Sequence, residues 1–90
     1  MNIQTTIGLR IKELRTEKNL TQEAIAFKAE IDRTFMNHVE NGKRNVSIET
    51  LEKIICNGFE INFQDFFNDD LFKRKKKVKK IIKFLLCLDF

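Results

Sequence analysis

Residues 20–45, LTQEAIAFKAEIDRTFMNHVENGKRN, decide the fold of this chain. Thr21 presents a short side-chain oxygen to the orphan N–H groups of a first helical turn, and Ile25, Ala26 and Ala29 follow at helical spacing. Asp32 can cap a second helix in the same way, with Met36 and Val39 inward. Between the two lies Glu30-Ile31, too short for anything except a turn, with Ile31 apolar enough to plug the angle. This is the outline of a helix-turn-helix unit. The outer face of its second helix carries Arg33, Thr34, Asn37 and His38, all able to hydrogen-bond to base edges or phosphates.

Working outward, three more helices complete the first 72 residues. The first is expected over Thr6–Lys18, with Ile7, Ile11 and Leu14 inward and Arg10, Lys12 and Arg15 outside. Asn19 stops it, since asparagine tolerates the left-handed conformation a helix end needs, and Asn41-Gly42 closes the third helix by the same device. Ser47 caps a fourth, with Ile48, Leu51, Ile54 and Ile55 inward and Glu49 near its positive end. Asn57-Gly58 is expected to break it before a short fifth helix that carries Phe63, Phe66, Phe67 and Leu71.

Ninety residues with 42% hydrophobic content make one helical core, and nine Phe without Trp, Tyr or Pro suit compact packing with few rigid turns. The start, Met1-Asn2-Ile3-Gln4, is too polar to open a signal peptide. Cys56 and Cys87 have no partners at metal-ligand spacing, so free thiols in a reducing cytoplasm are expected, with no metal and no cofactor. The net charge of +4 hides an asymmetry: residues 1–72 hold nine Lys/Arg against twelve Asp/Glu, while residues 73–90 hold eight against one. The basic balance belongs to the tail and is no footprint for nucleic acid on the folded part. An enzyme is not expected, because there is no triad, no phosphate-cradling glycine loop and a single histidine.

The runs Thr21-Gln22-Glu23, Asp32-Arg33-Thr34-Phe35-Met36 and Glu40-Asn41-Gly42-Lys43-Arg44-Asn45 resemble the Cro/C1-type helix-turn-helix regulators, and within them the controller proteins of restriction–modification systems. The similarity covers roughly residues 6–72 and implies a compact, all-α, five-helix, lambda-repressor-like domain, here residues 1–72, with residues 73–90 as a basic C-terminal extension. Two departures stand out. Glu30 occupies a turn position where the family often has Gly or Asn, and at positive φ it would carry roughly 1 kcal/mol of strain. The segment Cys56–Glu60 is also about one residue longer than the usual connection.

The resemblance implies a helix in the major groove of double-stranded DNA, its first turns aimed at base edges. Arg33 can take guanine in bidentate fashion, Thr34 can meet a thymine methyl or a phosphate, and Asn37 can pair with adenine. Phe35, where the family often has tyrosine, can only pack, and His38 reaches a flanking base or phosphate. Thr21 and Gln22 resemble a family phosphate anchor, helped by the positive end of their helix. Asn41, Lys43, Arg44 and Asn45 form a second polar cluster suited to the opposite phosphate wall. Blander readings stand beside these: Arg33 can pair with Asp32 or Glu30, Asn37 can be solvated, and Arg44-Asn45 can brace the loop into helix four.

A single recognition helix makes few base contacts, so a homodimer on a pseudo-palindrome is expected, with half-sites about 34 Å apart. Phe59, Phe63, Phe66 and Phe67 are the candidate dimer face. Phe63, Phe66 and Phe67 are first of all core, but three aromatics in five positions exceed what a small helix buries internally, so one or two of them are expected to face a second subunit. In the tail, Val78, Ile81, Ile82 and Leu85 form one stripe of a helix and four lysines another. That helix can lie along DNA phosphates, sit in a membrane interface, or dock its apolar face on a partner subunit or on the domain itself, and its apolar section is too short to span a bilayer. The competing function is an antitoxin-like module that neutralises a partner protein through its Phe-rich C-terminal region. No small-molecule effector is evident.

Overall fold

The computed structural model describes residues 2–73, and the expected amphipathic tail lies outside the described residues apart from Lys73. Five helices run in chain order: α1 (Ile3–Glu17), α2 (Gln22–Ala29), α3 (Arg33–Glu40), α4 (Ile48–Glu52) and α5 (Phe63–Phe67), and no strand occurs among the described residues. A π-helical segment (Lys53–Gly58) continues α4, and a 3₁₀ turn (Asp70–Phe72) follows α5.

Side-chain caps set most of these boundaries. Thr21 Oγ1 accepts the Ala24 N–H at 3.0 Å, Asp32 Oδ2 accepts those of Thr34 and Phe35 at 2.9 and 3.3 Å, and Ser47 Oγ accepts that of Thr50 at 3.1 Å. Helix α1 starts three residues before the expected Thr6, because Asn2 Oδ1 accepts the Thr5 N–H at 2.8 Å. It ends at Glu17, and Asn19 two residues on takes φ 55°, as expected of an asparagine there. At the end of α3 the left-handed residue is Gly42 (φ 72°), while Asn41 stays at φ −88°.

The turn between α2 and α3 places Glu30 at φ 59° and ψ 42°. This conformation lets the Glu30 and Ile31 N–H groups bond back to the carbonyls of Phe27 and Ala26 at 3.1 and 2.9 Å. Those two bonds satisfy the last carbonyls of α2 and offset the strain of a left-handed glutamate.

Helix four corrects two expectations. Asn57-Gly58 does not break it: the chain widens into the π-helical segment, and the Phe59 N–H reaches back five residues to the Ile54 carbonyl at 3.0 Å. A wide turn absorbs a surplus residue without moving the flanking side chains off the core, which accounts for the long Cys56–Glu60 segment. Ile48, expected inward, is 77% exposed. A helical side chain leans over the turn that precedes it, and a first-turn residue has no such turn beneath it.

The core collects Ile11 from α1, Ile25 and Ala29 from α2, Met36 and Val39 from α3, and Ile54 and Ile55 from the π-helical segment, all at or near zero exposure. Phe59 and Phe66 join them at 3% and 0%. Both were candidates for the dimer face, but the core has room for them, and each such burial stabilises by roughly 1.5–3 kcal/mol. Two charged residues expected outside α1 are also drawn in. Arg10 is 8% exposed, with Nε donating to the Phe66 carbonyl at 2.7 Å, Nη2 to the Asp65 carbonyl at 3.0 Å, and Nη1 to Glu13 and Asp69. Arg15 binds Glu40, as described below. Both turn inward because a distant acceptor waits there, and a buried charge is tolerated only when it is paired.

Helices α1 and α3 approach so closely that a Cβ on Gly8 would lie 2.4 Å from the Glu40 carbonyl oxygen and 2.7 Å from that of Val39. The glycine therefore brings the C-terminal end of α3 onto α1. No described helix is long and apolar enough to cross a membrane.

Candidate nucleic-acid interface

The α2–turn–α3 unit presents one continuous polar surface. Arg33 and Thr34 sit exposed in the first turn of α3, Asn37 is exposed one turn on, and His38 is half-buried. Asn41, Lys43, Arg44 and Asn45 are exposed in the loop that follows. Asp32 caps α3 directly beneath Arg33, yet no ion pair between Arg33 and Asp32 or Glu30 occurs among the described residues.

Beneath this surface a chain of polar side chains joins three helices. Glu40, with its side chain 2% exposed, accepts Arg15 Nε at 2.6 Å on Oε2 and Arg15 Nη2 at 3.1 Å on Oε1. The fork geometry is what makes a guanidinium–carboxylate pair strong. Arg15 Nη1 donates in addition to the Leu20 carbonyl at 3.0 Å. Glu40 Oε1 also accepts Gln22 Nε2 at 3.0 Å, and the same amide nitrogen reaches Asn37 Oδ1 at 3.2 Å. Asn41 Nδ2 approaches that oxygen at 3.5 Å.

These bonds change how two candidates can work. Both side-chain donors of Gln22 face protein acceptors, so its carboxamide holds Asn37 and Glu40 in place. The free donors at the start of α2 are the backbone N–H groups of Gln22 and Glu23, since Thr21 Oγ1 is engaged by Ala24. Asn37 turns its carbonyl oxygen toward Gln22 and Asn41, so a two-bond contact with adenine requires that cluster to open.

The loop after α3 is braced at two points. Asn45 Oδ1 accepts the Gln4 amide, tying the loop to the start of α1. The Arg44 guanidinium carbon lies 5.6 Å from the centroid of the Phe35 ring. Phe35 itself packs against the core, so the ring meets its own loop as well as any base. Of the expected aromatic face, Phe63 is 37% exposed and Phe67 half-buried, with their rings edge to face at 6.2 Å.

Sequence reasoning missed Glu40, Arg15, Arg10 and Gln4 as parts of this construction. Their partners lie 25 to 59 residues away, at separations no local pattern reports.

A capped helix pair joined by a left-handed turn, with a polar second helix facing outward, defines a helix-turn-helix domain of the DNA-binding kind. The chain belongs to the helix-turn-helix family, whose model matches residues 11–57. It is 44% identical over 69 residues to the control protein C.MunI from a Mycoplasma species, covering 76% of this chain and 92% of that one. Its fold matches the restriction-modification controller protein C.AhdI from Aeromonas hydrophila with a TM-score of 0.66 at 38% identity, over 71% of this chain and 96% of the other. It also matches the controller protein C.Esp1396I bound to a 25 base pair operator site, with a TM-score of 0.71 at 33% identity over 91% and 97% of the two chains. The latter protein has been solved as a tetramer on its natural 35 base-pair operator as well.

Proposed function

We propose that this chain is a sequence-specific DNA-binding transcription regulator of the restriction–modification controller kind, acting as a homodimer on a pseudo-palindromic operator. The observation that carries this reading is the polar outer face of α3, whose Arg33 forms no ion pair among the described residues, next to the open N–H groups of α2. Its likeness to controller proteins held on operator DNA supports the same reading.

On DNA, Arg33 and Thr34 face base edges, with Asn37 one turn further along and His38 toward the flank. The Gln22 and Glu23 N–H groups grip one phosphate wall, and Asn41, Lys43, Arg44 and Asn45 the other. The second subunit docks on α5 through Phe63 and the exposed edge of Phe67. The work is binding rather than catalysis, and it takes place in the cytoplasm, where the DNA is.

Selection of bound sites from a random duplex library at about 150 mM salt tests this reading, because that salt suppresses counterion-driven background. A two-fold symmetric motif is the expected result. Binding without any motif, vanishing as salt rises, would overturn the reading.

A further inference from the structure

We propose that Phe35 is a positioning residue for DNA binding: its ring holds the Arg44 guanidinium over its face, so that the cation meets the phosphate backbone already aimed. The inference rests on the DNA-binding reading above.

Four observations carry it. The Arg44 guanidinium carbon lies 5.6 Å from the Phe35 ring centroid, inside the range where a cation is attracted to an aromatic face. Arg44 forms no salt bridge among the described residues, so no carboxylate competes for it. The ring is itself fixed, since it packs on the core and its backbone N–H is held by the Asp32 cap at 3.3 Å. The loop that bears Arg44 is tied down one residue later, where Asn45 accepts from Gln4.

Chemistry supplies the remaining step. A guanidinium held by cation–π attraction spends none of its five N–H donors on a protein acceptor, which leaves them open to two phosphate oxygens. A free arginine must give up rotamer freedom to reach that geometry, whereas a stacked one has already done so. This assigns a task to an aromatic whose lack of a hydroxyl makes it a poor base reader.

The test is a double-mutant cycle on the selected operator, using Phe35→Leu, Arg44→Ala and the double variant, with an unrelated duplex alongside. Phe35→Leu should weaken operator binding about two- to fivefold when Arg44 is present, the factor expected of an exposed cation–π contact. In the Arg44→Ala background it should change binding by less than about 1.5-fold, and Phe35→Tyr should bind like the parent. Losses on the unrelated duplex should parallel those on the operator, because phosphates carry no sequence.

An equal loss from Phe35→Leu in both backgrounds would overturn the proposal, because the ring would then act by itself. A second measurement needs no DNA. In the free protein the Arg44 δ-protons should be shifted upfield by the ring and return to ordinary positions in Phe35→Leu. Unshifted protons in the parent protein would also overturn it. If Phe35→Leu does not fold, Arg44→Lys gives the comparison, since it keeps the charge and loses the planar stack. It should lose the same two- to fivefold, and a full-strength Lys variant would count against the stack. Failure to select any operator, with the ring shift intact, would instead remove the DNA-binding reading beneath the proposal.

Discussion

Replacing Glu40 with alanine probes how the buried ion pair supports the interface. The wild-type carboxylate accepts two bonds from Arg15 and one from Gln22 at 2.6, 3.1 and 3.0 Å, with its side chain 2% exposed. Its loss leaves an arginine, with its side chain 19% exposed, with two donors unpaired, and a glutamine with one acceptor fewer. Removing one member of a fully buried pair costs about 3–5 kcal/mol, because the remaining charge is stranded. Arg15 keeps its bond to the Leu20 carbonyl and some contact with water, so the expected loss here is about 2–4 kcal/mol. A domain of this size is stabilised by roughly 4–11 kcal/mol in total. The variant should therefore remain folded but unfold at a urea midpoint lower by about 1–3 M with an unchanged slope. The apolar double replacement Arg15→Met, Glu40→Leu removes both charges and should recover most of that stability. It should not restore the parent's operator binding, because Gln22 still lacks the Glu40 acceptor that fixes it against Asn37. A Glu40→Ala unfolding free energy within about 0.5 kcal/mol of wild type would refute the reasoning, since that is the range of ordinary surface substitutions.

Four further outcomes follow from the same geometry. Gly8→Ala places a methyl 2.4 Å from the Glu40 carbonyl oxygen, a backbone atom that cannot swing aside. Overpacking of about 1–3 kcal/mol should exceed the roughly 1 kcal/mol that alanine gains in a helix, so an unchanged or higher melting temperature would contradict the close approach. Glu30→Gly should stabilise by about 0.5–1 kcal/mol, because φ 59° is strained for glutamate and natural for glycine; a lower melting temperature would refute this. Arg33→Ala should cost about 1–3 kcal/mol on the selected operator and relax preference at one base pair, whereas equal losses on unrelated DNA would make it a phosphate contact. The Lys28 ammonium, hydrogen-bonded to Glu60 at 2.9 Å, holds the Glu60 carboxyl below its ordinary 4.5. A lowered value contributes stability that is present above 4.5 and fades as pH falls through the lowered value. In Lys28→Gln the Glu60 carboxyl resonance should titrate back toward 4.5; an unmoved midpoint would exclude Lys28 as the cause.

What could be read from residues alone divides along a physical line. Thr21, Asp32 and Ser47 were legible as caps because a capping bond joins groups two or three residues apart. Glu30 was legible as strained because only a left-handed residue closes so short a turn. Arg10 and Arg15 were not, since charge patterning places them in water and the carbonyls and carboxylate that draw them inward come from α3 and α5. The aromatic surplus was legible as a number but not as an assignment: counting rings in α5 does not say that Phe66 and Phe59 enter the core while Phe63 stays exposed.

The same division runs through the interface. Spacing selects Gln22, Asn37 and Arg44 as residues whose chemistry suits DNA, but it does not report which of their donors are open. In the folded domain Gln22 and Asn37 bond to each other, and Glu40 holds Gln22 from beneath. A base that seeks the Asn37 amide must compete with a neighbour only 3.2 Å away, whereas a phosphate at the start of α2 meets backbone N–H groups with no helical partner. Backbone gripping thus requires no rearrangement of this cluster, and reading at Asn37 does. If Asn37 reads a base as proposed, discrimination there is set by how readily the Gln22–Asn37 bond gives way, and through Glu40 that depends on Arg15, a residue on another helix.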